Sequence, residues 1–205
     1  MNTIKNVELN KKEKIMIILK NTLNMLTRRK KIKINDLESQ LEPIYSSMNN
    51  NNIIIMDSIV PDEKIGIIFA PHNISTIKKT IFFENFLKDN DQVYKIVIIN
   101  NINKKVLKQI LSFNNIEIWW EYELLEDILK KTIIPQHDVL SDQDKEIFLQ
   151  NFKPTELSVI FSTDMMARYY KMKIGDIVRI IRPSNTSGNS IFYRIVKPGP
   201  LSLLL

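Results

Sequence analysis

Few side chains in this sequence could carry out catalysis. His72 and His137 are the only histidines, neither has partners at metal-ligand spacing, and the chain has no cysteine. A serine nucleophile elbow, a phosphate-binding glycine loop and a zinc-binding helix with the pattern His-Glu-x-x-His are also missing. The sequence therefore predicts no catalytic residue, no cofactor, no metal site and no small-molecule substrate. His137 is expected to satisfy a local hydrogen bond.

A single dipeptide raises the possibility of nuclease activity. Pro61 and Asp62 resemble the opening of a metal-dependent nuclease motif, which needs an acid two residues before a lysine on the following strand. That second half would bring another carboxylate to the metal and a cation to the attacking water. No such pair follows Asp62 within the region of predicted strands, so we expect no nuclease activity.

Composition points to a soluble globular protein of one or two domains. The 205 residues are 44% hydrophobic, which is enough for a core, and no run approaches the eighteen or so apolar residues of a membrane span. The first residues lack the apolar segment and cleavage site of a secretion signal, so we expect an intracellular protein without membrane contact. The net charge of +6 is too small to indicate a strong polyanion trap.

Two charged runs have mainly structural interpretations. The run 28–33 (RRKKIK) is typical of a solvated helix end, and DNA contact is its alternative. The acidic run from Glu117 to Asp127 is expected to be a solvated face. A free-standing nucleic-acid-binding protein remains an alternative for the whole chain, because four aromatic residues could stack on bases if exposed: Phe82, Phe83, Trp119 and Trp120.

Hydrophobic periodicity divides the N-terminal part into alternating helices and strands. Helices are predicted at 9–27, at 75–87, at 103–111 and from Asn35, as its cap, to about Pro43. Strands are predicted at 53–56, 65–70, 93–99 and 116–120. This alternation indicates an α/β domain with helices around a small mixed sheet.

The C-terminal part predicts two short helices and a hairpin. Ser141 begins one helix that runs to about Asn151, and Thr163 or Asp164 begins another that ends at Tyr170. Two β-branched and aromatic runs, 177–181 and 191–196, flank the turn-forming residues 183–190 (PSNTSGNS) and indicate a hairpin with a long tip. The charged residues of the first run do not alternate, so part of the hairpin should be buried on both faces.

The C-terminal segment resembles a known family. The stretches RIIRPS, the glycine five residues after Pro183, and YRIV occur together with an upstream ARYY element and a Pro-x-His hinge at 135–137. In this combination the chain resembles the fifth subunit shared by the eukaryotic RNA polymerases, a family with an archaeal equivalent. The resemblance is specific over about 123–196. Where relatives carry Leu-Pro, this chain has LSVIFSTD, so the entry to the following helix is expected to be rearranged.

The resemblance implies an architecture and a role. It implies an N-terminal jaw domain at 1–133 with restriction-nuclease-like topology, and a small α+β assembly domain at 134–205. The chain would be a non-catalytic subunit of a DNA-directed RNA polymerase, with the largest subunit and other subunits as partners and downstream double-stranded DNA beside the jaw. Assembly would rest on Arg168, Tyr169, Gly175, Arg182, Pro183, Ser184, Gly188, Tyr193 and Arg194, and Lys104 and Lys105 would lie near DNA.

The location of the protein in the cell depends on whether its gene is viral or cellular. Heavy use of Ile, Lys and Asn indicates an AT-rich genome. With the divergent jaw, this favours a polymerase encoded by a large DNA virus, which would place the protein in the host cytoplasm and the virion. A cellular version would be nuclear. The apolar tail 197–205 is expected to pack either on its own domain or on a neighbouring subunit.

Overall fold

The computed structural model describes residues 10–71, 74, 76–77, 80–88, 93–131, 133–184 and 188–200. The chain forms two compact units, Met1–Ile128 and Leu129–Leu205. His72, part of the predicted helix 75–87, the middle of the predicted hairpin tip and the last five residues lie outside the described residues. Among the described residues, no helix combines the length and the apolar character needed to cross a membrane.

The first unit begins with two helices. Helix α1 (Lys11–Arg28) starts at a capping box in which the side chain of Asn10 accepts from the Glu13 amide, 2.8 Å away. Helix α2 (Leu37–Ser46) is capped by Asp36, so the prediction of Asn35 as the cap was wrong. Pro43 lies inside α2 and does not end it. A proline removes its own donor and crowds the carbonyl four residues earlier, but the helix continues past it, and the Ser47 amide donates to the Pro43 carbonyl at 3.0 Å.

The rest of the first unit is a mixed sheet with helices. The elements are β1 (Ile53–Asp57), β2 (Lys64–Phe69), α3 (Ile81–Lys88), β3 (Val93–Ile99), α4 (Lys104–Leu111) and β4 (Ile116–Trp120). The strand order is β1-β2-β3-β4, with β1 antiparallel to β2 and the other pairs parallel. Every described residue of β2 and β3 after the first is buried, as expected for parallel strands covered on both faces. The predicted mixed α/β architecture is confirmed.

A glycine and a lysine fix helix α3 on this sheet. A Cβ added to Gly66 would come within 2.9 Å of the Phe86 ring, so the helix approaches β2 where the strand has no side chain. Lys95 is buried in β3 and its Nζ donates to the carbonyl of Leu87, 3.0 Å away in the last turn of α3. A cation at this helix end is favoured by the helix dipole. Helix α3 begins six residues later than predicted.

The second unit contains a four-stranded sheet with the order β5-β7-β8-β6. Its elements are β5 (Gln136–Val139), α5 (Asp142–Asn151), β6 (Ser158–Phe161), α6 (Met165–Tyr169), β7 (Ile177–Ser184) and β8 (Gly188–Lys197). The caps of α5 and α6 are Ser141 and Asp164, within the predicted choices. Strands β7 and β8 form the predicted hairpin, and β6 runs parallel to β8.

The sequence prediction missed two strands and shortened the hairpin. Strand β5 was interpreted as a hinge, and β6 falls in the segment LSVIFSTD. Hairpin pairing continues through Pro183 and Asn189 to Ser184 and Gly188, inside the range predicted as turn. Pro183 is tolerated because β5 reaches β7 only as far as Ile181, so no third strand needs the missing donor.

The described part of the tail lies along its own unit. The amide of Ser162 donates to the Lys197 carbonyl at 2.8 Å, and the amide of Gly199 donates to the Ser162 hydroxyl at 3.2 Å. Residues 197–200 therefore contact the segment that follows β6.

Candidate partner-binding site

The base of the hairpin is buried on both faces, as predicted. Val178, Ile180 and Val196 belong to one apolar cluster with Ala167 of α6. Ile177 precedes Val178 and so points to the opposite face, yet it is also fully buried. The base of the hairpin is therefore fixed from both sides.

The outer half of the hairpin is uncovered. Arg182, Pro183 and Gly188 are exposed, and Ile191 and Phe192 leave 54% and 50% of their surface open. The guanidinium carbon of Arg182 lies 5.8 Å from the centroid of the Phe192 ring, in range of a cation–π contact. Apolar and cationic groups are thus presented together on one end of the sheet.

A groove of about 430 Å³ and another of about 670 Å³ lie in this unit. The larger one borders the outer hairpin and is lined by Ile133, Ile134, Pro135, Arg182 and Pro183, among others. Ile133 is 87% exposed. Next to Ile134 and Pro135 in the same groove, an apolar side chain this open is typical of a contact region.

The structure gathers only some of the predicted assembly residues. Arg182, Pro183, Ser184 and Gly188 lie together at the outer end of the hairpin. Tyr193 is half-buried and its ring centroid lies 4.5 Å from that of Phe148 in α5. The remaining four lie nearer the base of the sheet: Arg168, Tyr169, Gly175 and Arg194.

Tyr169 and Gly175, two of those four residues, have clear structural roles. Tyr169 is 2% exposed and its ring meets Tyr170 edge-on at 5.5 Å, so it serves the core of the unit. Gly175 has φ +89° and its amide donates to the Val196 carbonyl at 2.9 Å, which starts the turn into β7. Gly188 also has positive φ, +73°, with open space around it. Both glycines are needed for backbone conformation.

His137 makes the expected local hydrogen bond. Its Nδ1 lies 2.7 Å from the carbonyl of Pro135, and its side chain is buried beside β7. Burial lowers the pKa of His137; the hydrogen bond and Asp164 oppose this, while the positive charges of Arg194 and Arg182 add to it. A neutral imidazole is therefore favoured at this position.

In the first unit, Lys104 and Lys105 open helix α4 after β3, as predicted. Both are exposed, and among the described residues neither forms an ion pair. The first turn of α4 contains no acid, although the partial positive charge of a helix N-terminus favours one there. These lysines therefore gain nothing from the helix dipole.

The basic run pairs with carboxylates of its own unit. Both guanidinium nitrogens of Arg28 contact Asp127, at 2.7 and 2.8 Å, and Nζ of Lys31 lies 2.7 Å from Glu63. Lys14 pairs with Glu121. The expectation that the acidic run is a solvated face was wrong, since Asp127 and Glu121 keep only 7% and 16% of their side chains exposed.

The most buried of these pairs forms a small network. Arg29 contacts Glu117 at 2.8 Å and the Tyr94 hydroxyl at 2.9 Å, and Nε1 of Trp119 lies 3.4 Å from the same carboxylate. Burial raises the pKa of Tyr94 far above its usual value, with the charge of Glu117 acting in the same direction. The network joins the end of α1 to β3 and β4.

The aromatic residues considered for base stacking belong to the core. Trp119 and Phe83 are fully buried, Trp120 is 9% exposed and Phe82 is half-buried. The free-standing nucleic-acid-binding alternative thus loses its stacking platform. Asp62 lies in an exposed turn, and the described residues contain no group of three or more acids and histidines placed to hold a metal ion.

No sequence pattern singled out Ile133, Ile191 and Phe192 as contact residues. Ile191 and Phe192 were interpreted as ordinary strand residues. Their signal is that three large side chains, 191–193, follow one another on β8 before the residues that pair with the edge strand β6. Alternate residues of such a run face opposite sides, and both sides are open there.

Known proteins resemble this chain over nearly its full length. The family model described as RNA polymerase Rpb5, C-terminal domain, matches residues 126–196. DNA-directed RNA polymerase subunit 5 of Acanthamoeba polyphaga mimivirus is 33% identical over 90% of this chain and 92% of its own length. Subunit rpabc1 of the DNA-directed RNA polymerases I, II and III of Dictyostelium discoideum is 27% identical over 89% and 96%.

An archaeal relative matches a shorter stretch. DNA-directed RNA polymerase subunit Rpo5 of Thermofilum pendens is 40% identical over 75 residues, which are 36% of this chain and 94% of that protein. The similarity over 90% of this chain and the family model agree. The chain belongs to the RNA polymerase subunit 5 (Rpb5) family.

Proposed function

We propose that this chain is a non-catalytic subunit of a multisubunit DNA-directed RNA polymerase, attached through its second unit. The observation that carries the proposal is the uncovered outer half of the hairpin, where Ile191, Phe192 and Arg182 are presented on a rigid base. Aromatic and arginine side chains are the types that most often anchor protein interfaces. The names of the relatives support a polymerase as the assembly.

The attachment is to the largest subunit, with the hairpin and the neighbouring groove as the contact. In this proposal the second unit is the assembly domain and the first unit is the jaw. The jaw has the restriction-nuclease-like topology of its family and lies near downstream duplex DNA. Lys104 and Lys105 face that DNA, since they are exposed cations that the helix dipole does not favour.

Attachment is tested by the double change Arg182→Ala and Arg194→Ala. The isolated protein should stay folded, because Arg182 is exposed and Arg194 is half-buried, but its recovery with the largest subunit should fall. The matched control is Lys153→Ala with Lys173→Ala, two exposed cations elsewhere in the unit. Unchanged recovery of the arginine variant would count against this contact.

Identity of the assembly is tested by affinity purification of the tagged protein and identification of its companions. Polymerase subunits should accompany it in stoichiometric amounts. If it purifies alone and binds DNA in a salt-dependent manner, the free-standing nucleic-acid-binding function is favoured instead.

The DNA contact is tested by changing Lys104 and Lys105 to Glu within the assembled polymerase. Retention of downstream DNA should decrease at low salt and differ less at high salt, because exposed charges are screened. Equal retention at low salt would remove both lysines from the proposal.

The proposed place of action is the host cytoplasm. Similarity to a mimivirus subunit, together with the AT-rich composition, supports a viral polymerase that works in the host cytoplasm and is carried in the virion. Fractionation of infected cells and of purified virions would test this assignment.

A further inference from the structure

Helix α5 is incompletely covered by its own unit. None of its ten residues is buried, although Ile147, Phe148 and Leu149 form an apolar run. A helix this short depends on tertiary packing rather than on its own propensity. Here the packing is partial: the ring centroid of Phe148 lies 4.5 Å from that of Tyr193 and 4.7 Å from that of Phe152.

The smaller groove, of about 430 Å³, runs between α5 and the sheet. Its floor is a row of three cross-strand neighbours, Asp138, Arg179 and Tyr193. Its outer wall is apolar: Ile147 is 59% exposed and Phe152 is 50% exposed. The groove faces the side of the sheet opposite to the cluster that contains Ile180.

One polar atom of the groove lacks a partner. Nη2 of Arg179 donates to Asp138 at 3.0 Å, but its Nε is buried and has no acceptor among the described residues. A buried N–H group without an acceptor is unusual in a native protein. An occupant that carried a carbonyl oxygen into the groove would satisfy it.

The rim of the groove is acidic in a chain that is basic overall. Helix α5 beside the groove carries Asp142, Asp144, Glu146 and one lysine, whereas the whole chain has a net charge of +6. Asp142 and Asp144 also suit the first turn of a helix, but Glu146 lies outside that turn, and Asp138 on the floor is paired with Arg179. Charge complementarity therefore favours a basic occupant and disfavours nucleic acid.

We infer that this groove binds a polypeptide segment of another polymerase subunit, one with apolar anchors flanked by lysine or arginine. The apolar anchors cover Ile147, Phe148 and Phe152, a backbone carbonyl accepts from Nε of Arg179, and the basic flanks meet the acidic rim. The inference rests on the proposed function, because the partner is a polymerase polypeptide. The contact lies on a different surface from the outer hairpin.

A matched pair of variants tests whether the segment that binds in the groove is positively charged. Ile147→Lys and Ile147→Glu both remove the apolar anchor at an exposed position, so both should fold. Binding of each to purified polymerase depleted of this subunit should be weaker than that of the unchanged chain. The loss should be at least about fivefold greater for Lys than for Glu, because only Lys repels a basic partner. Equal losses of binding, or a greater loss for Glu, would contradict the proposal that the partner is basic.

Site-specific photo-crosslinking identifies what occupies the groove. A photoreactive amino acid replaces Ile147 in one chain, Phe192 in a second and the exposed control Ile174 in a third, and each is assembled into purified polymerase. We expect position 147 to crosslink to a segment rich in lysine or arginine, and position 174 to give no crosslink to that segment. A crosslink from 147 to nucleic acid or to an acidic segment, or none at all, would refute the inference.

The chains labelled at positions 147 and 192 distinguish the groove proposal from the proposed function. If position 192 crosslinks to the polymerase and 147 does not, the groove proposal fails and the proposed function stands. If no chain enters the polymerase, the proposed function itself fails.

Discussion

The two units of this protein use their charged and apolar side chains in opposite ways. In the first unit, the basic run at the end of α1 is matched to carboxylates of the same unit, as in the pairs Arg28–Asp127, Arg29–Glu117 and Lys31–Glu63. In the second unit, an arginine and large apolar side chains are left open on the outer hairpin. The basic run, for which DNA contact was an alternative, forms ion pairs within its own unit, whereas residues interpreted as ordinary strand are exposed on the outer hairpin.

This difference indicates where to look for a partner. Charged side chains that are already paired within a unit gain little free energy from contact with another molecule. An exposed aromatic ring beside an arginine is stabilised when a partner covers both. Variants of the two units can therefore show whether the first is held by its internal pairs and the second is left open for assembly.

The largest effect is expected from Glu117→Ala. Arg29 keeps only 5% of its side chain exposed, so this change removes the carboxylate that lies 2.8 Å from a buried charge. The free energy of unfolding of the first unit should fall by about 3–5 kcal/mol. Tryptophan fluorescence during urea unfolding measures it, because both tryptophans lie in this unit.

The control for that change is Glu42→Ala. Glu42 pairs with Lys12 at 2.8 Å, but both side chains are more than half exposed. A loss below about 1 kcal/mol is expected for such a pair. Equal losses for the two variants would show that the internal pairs do not hold the first unit together.

The hairpin offers a comparison within one element. Ile180→Ala removes a buried side chain and should cost about 2–5 kcal/mol of stability, whereas Ile191→Ala at the open end should cost less than about 0.5 kcal/mol. The order should reverse for assembly: Ile191→Ala should weaken attachment to polymerase without unfolding the unit. Chemical unfolding followed by circular dichroism, with a polymerase pull-down, separates the two effects. If Ile191→Ala lowered the stability of the unit, the outer hairpin would have a structural role and not only a partner-binding one.

A smaller effect is expected from Gly175→Ala. The backbone there has φ +89° and the nearest atom to an added Cβ is 3.9 Å away, so strain rather than a clash decides the outcome. The loss should be about 1–2 kcal/mol, and Gly175→Asn should lose less because asparagine tolerates this conformation better. Thermal unfolding of the two variants measures the difference. No loss for alanine would contradict the assigned role.

The smallest effect is a pH dependence in the second unit. Burial lowers the pKa of His137 below its ordinary value of 6.5, so the unfolded chain binds the proton more readily than the folded one. Stability should be complete above about pH 6.5 and decrease as the pH falls below it, and His137→Gln should flatten this slope. The lowered pKa of Asp138, held down mainly by a hydrogen bond from Gln136, adds a loss only below about pH 4. Hydrogen exchange of β7 from pH 7 to 5 would measure the first effect, and a slope that is the same without His137 would contradict it.

The sequence was sufficient for the elements whose pattern is local. Strands β3 and β4 were predicted to the residue, and α1 to within two residues at its start, since their apolar spacing is long and regular. Strands β5 and β6 were missed because each has four residues and is defined by distant partners. His137 pairs with Ile180, and Ser158 with Arg194.

The candidate site was only partly predictable, because a residue type does not reveal which face is covered. Tyr169 matched a family motif and proved to be core, whereas Phe192 was passed over and is half exposed. The hairpin was predicted too short, since turn-forming residues such as Pro183 and Gly188 can also end a ladder that has no third strand beside it. The ion pairs of the first unit join residues up to 107 positions apart, beyond any local pattern.

The central claim is that the outer half of the hairpin attaches this chain to a polymerase. Hydrogen–deuterium exchange of the free chain and of the chain within purified polymerase tests it most directly. Amides of residues 181, 182, 184 and 188–192 should exchange markedly more slowly in the complex. The base of the hairpin around Val178 should already be protected in the free chain. Equal exchange of the outer hairpin in both states would contradict the account.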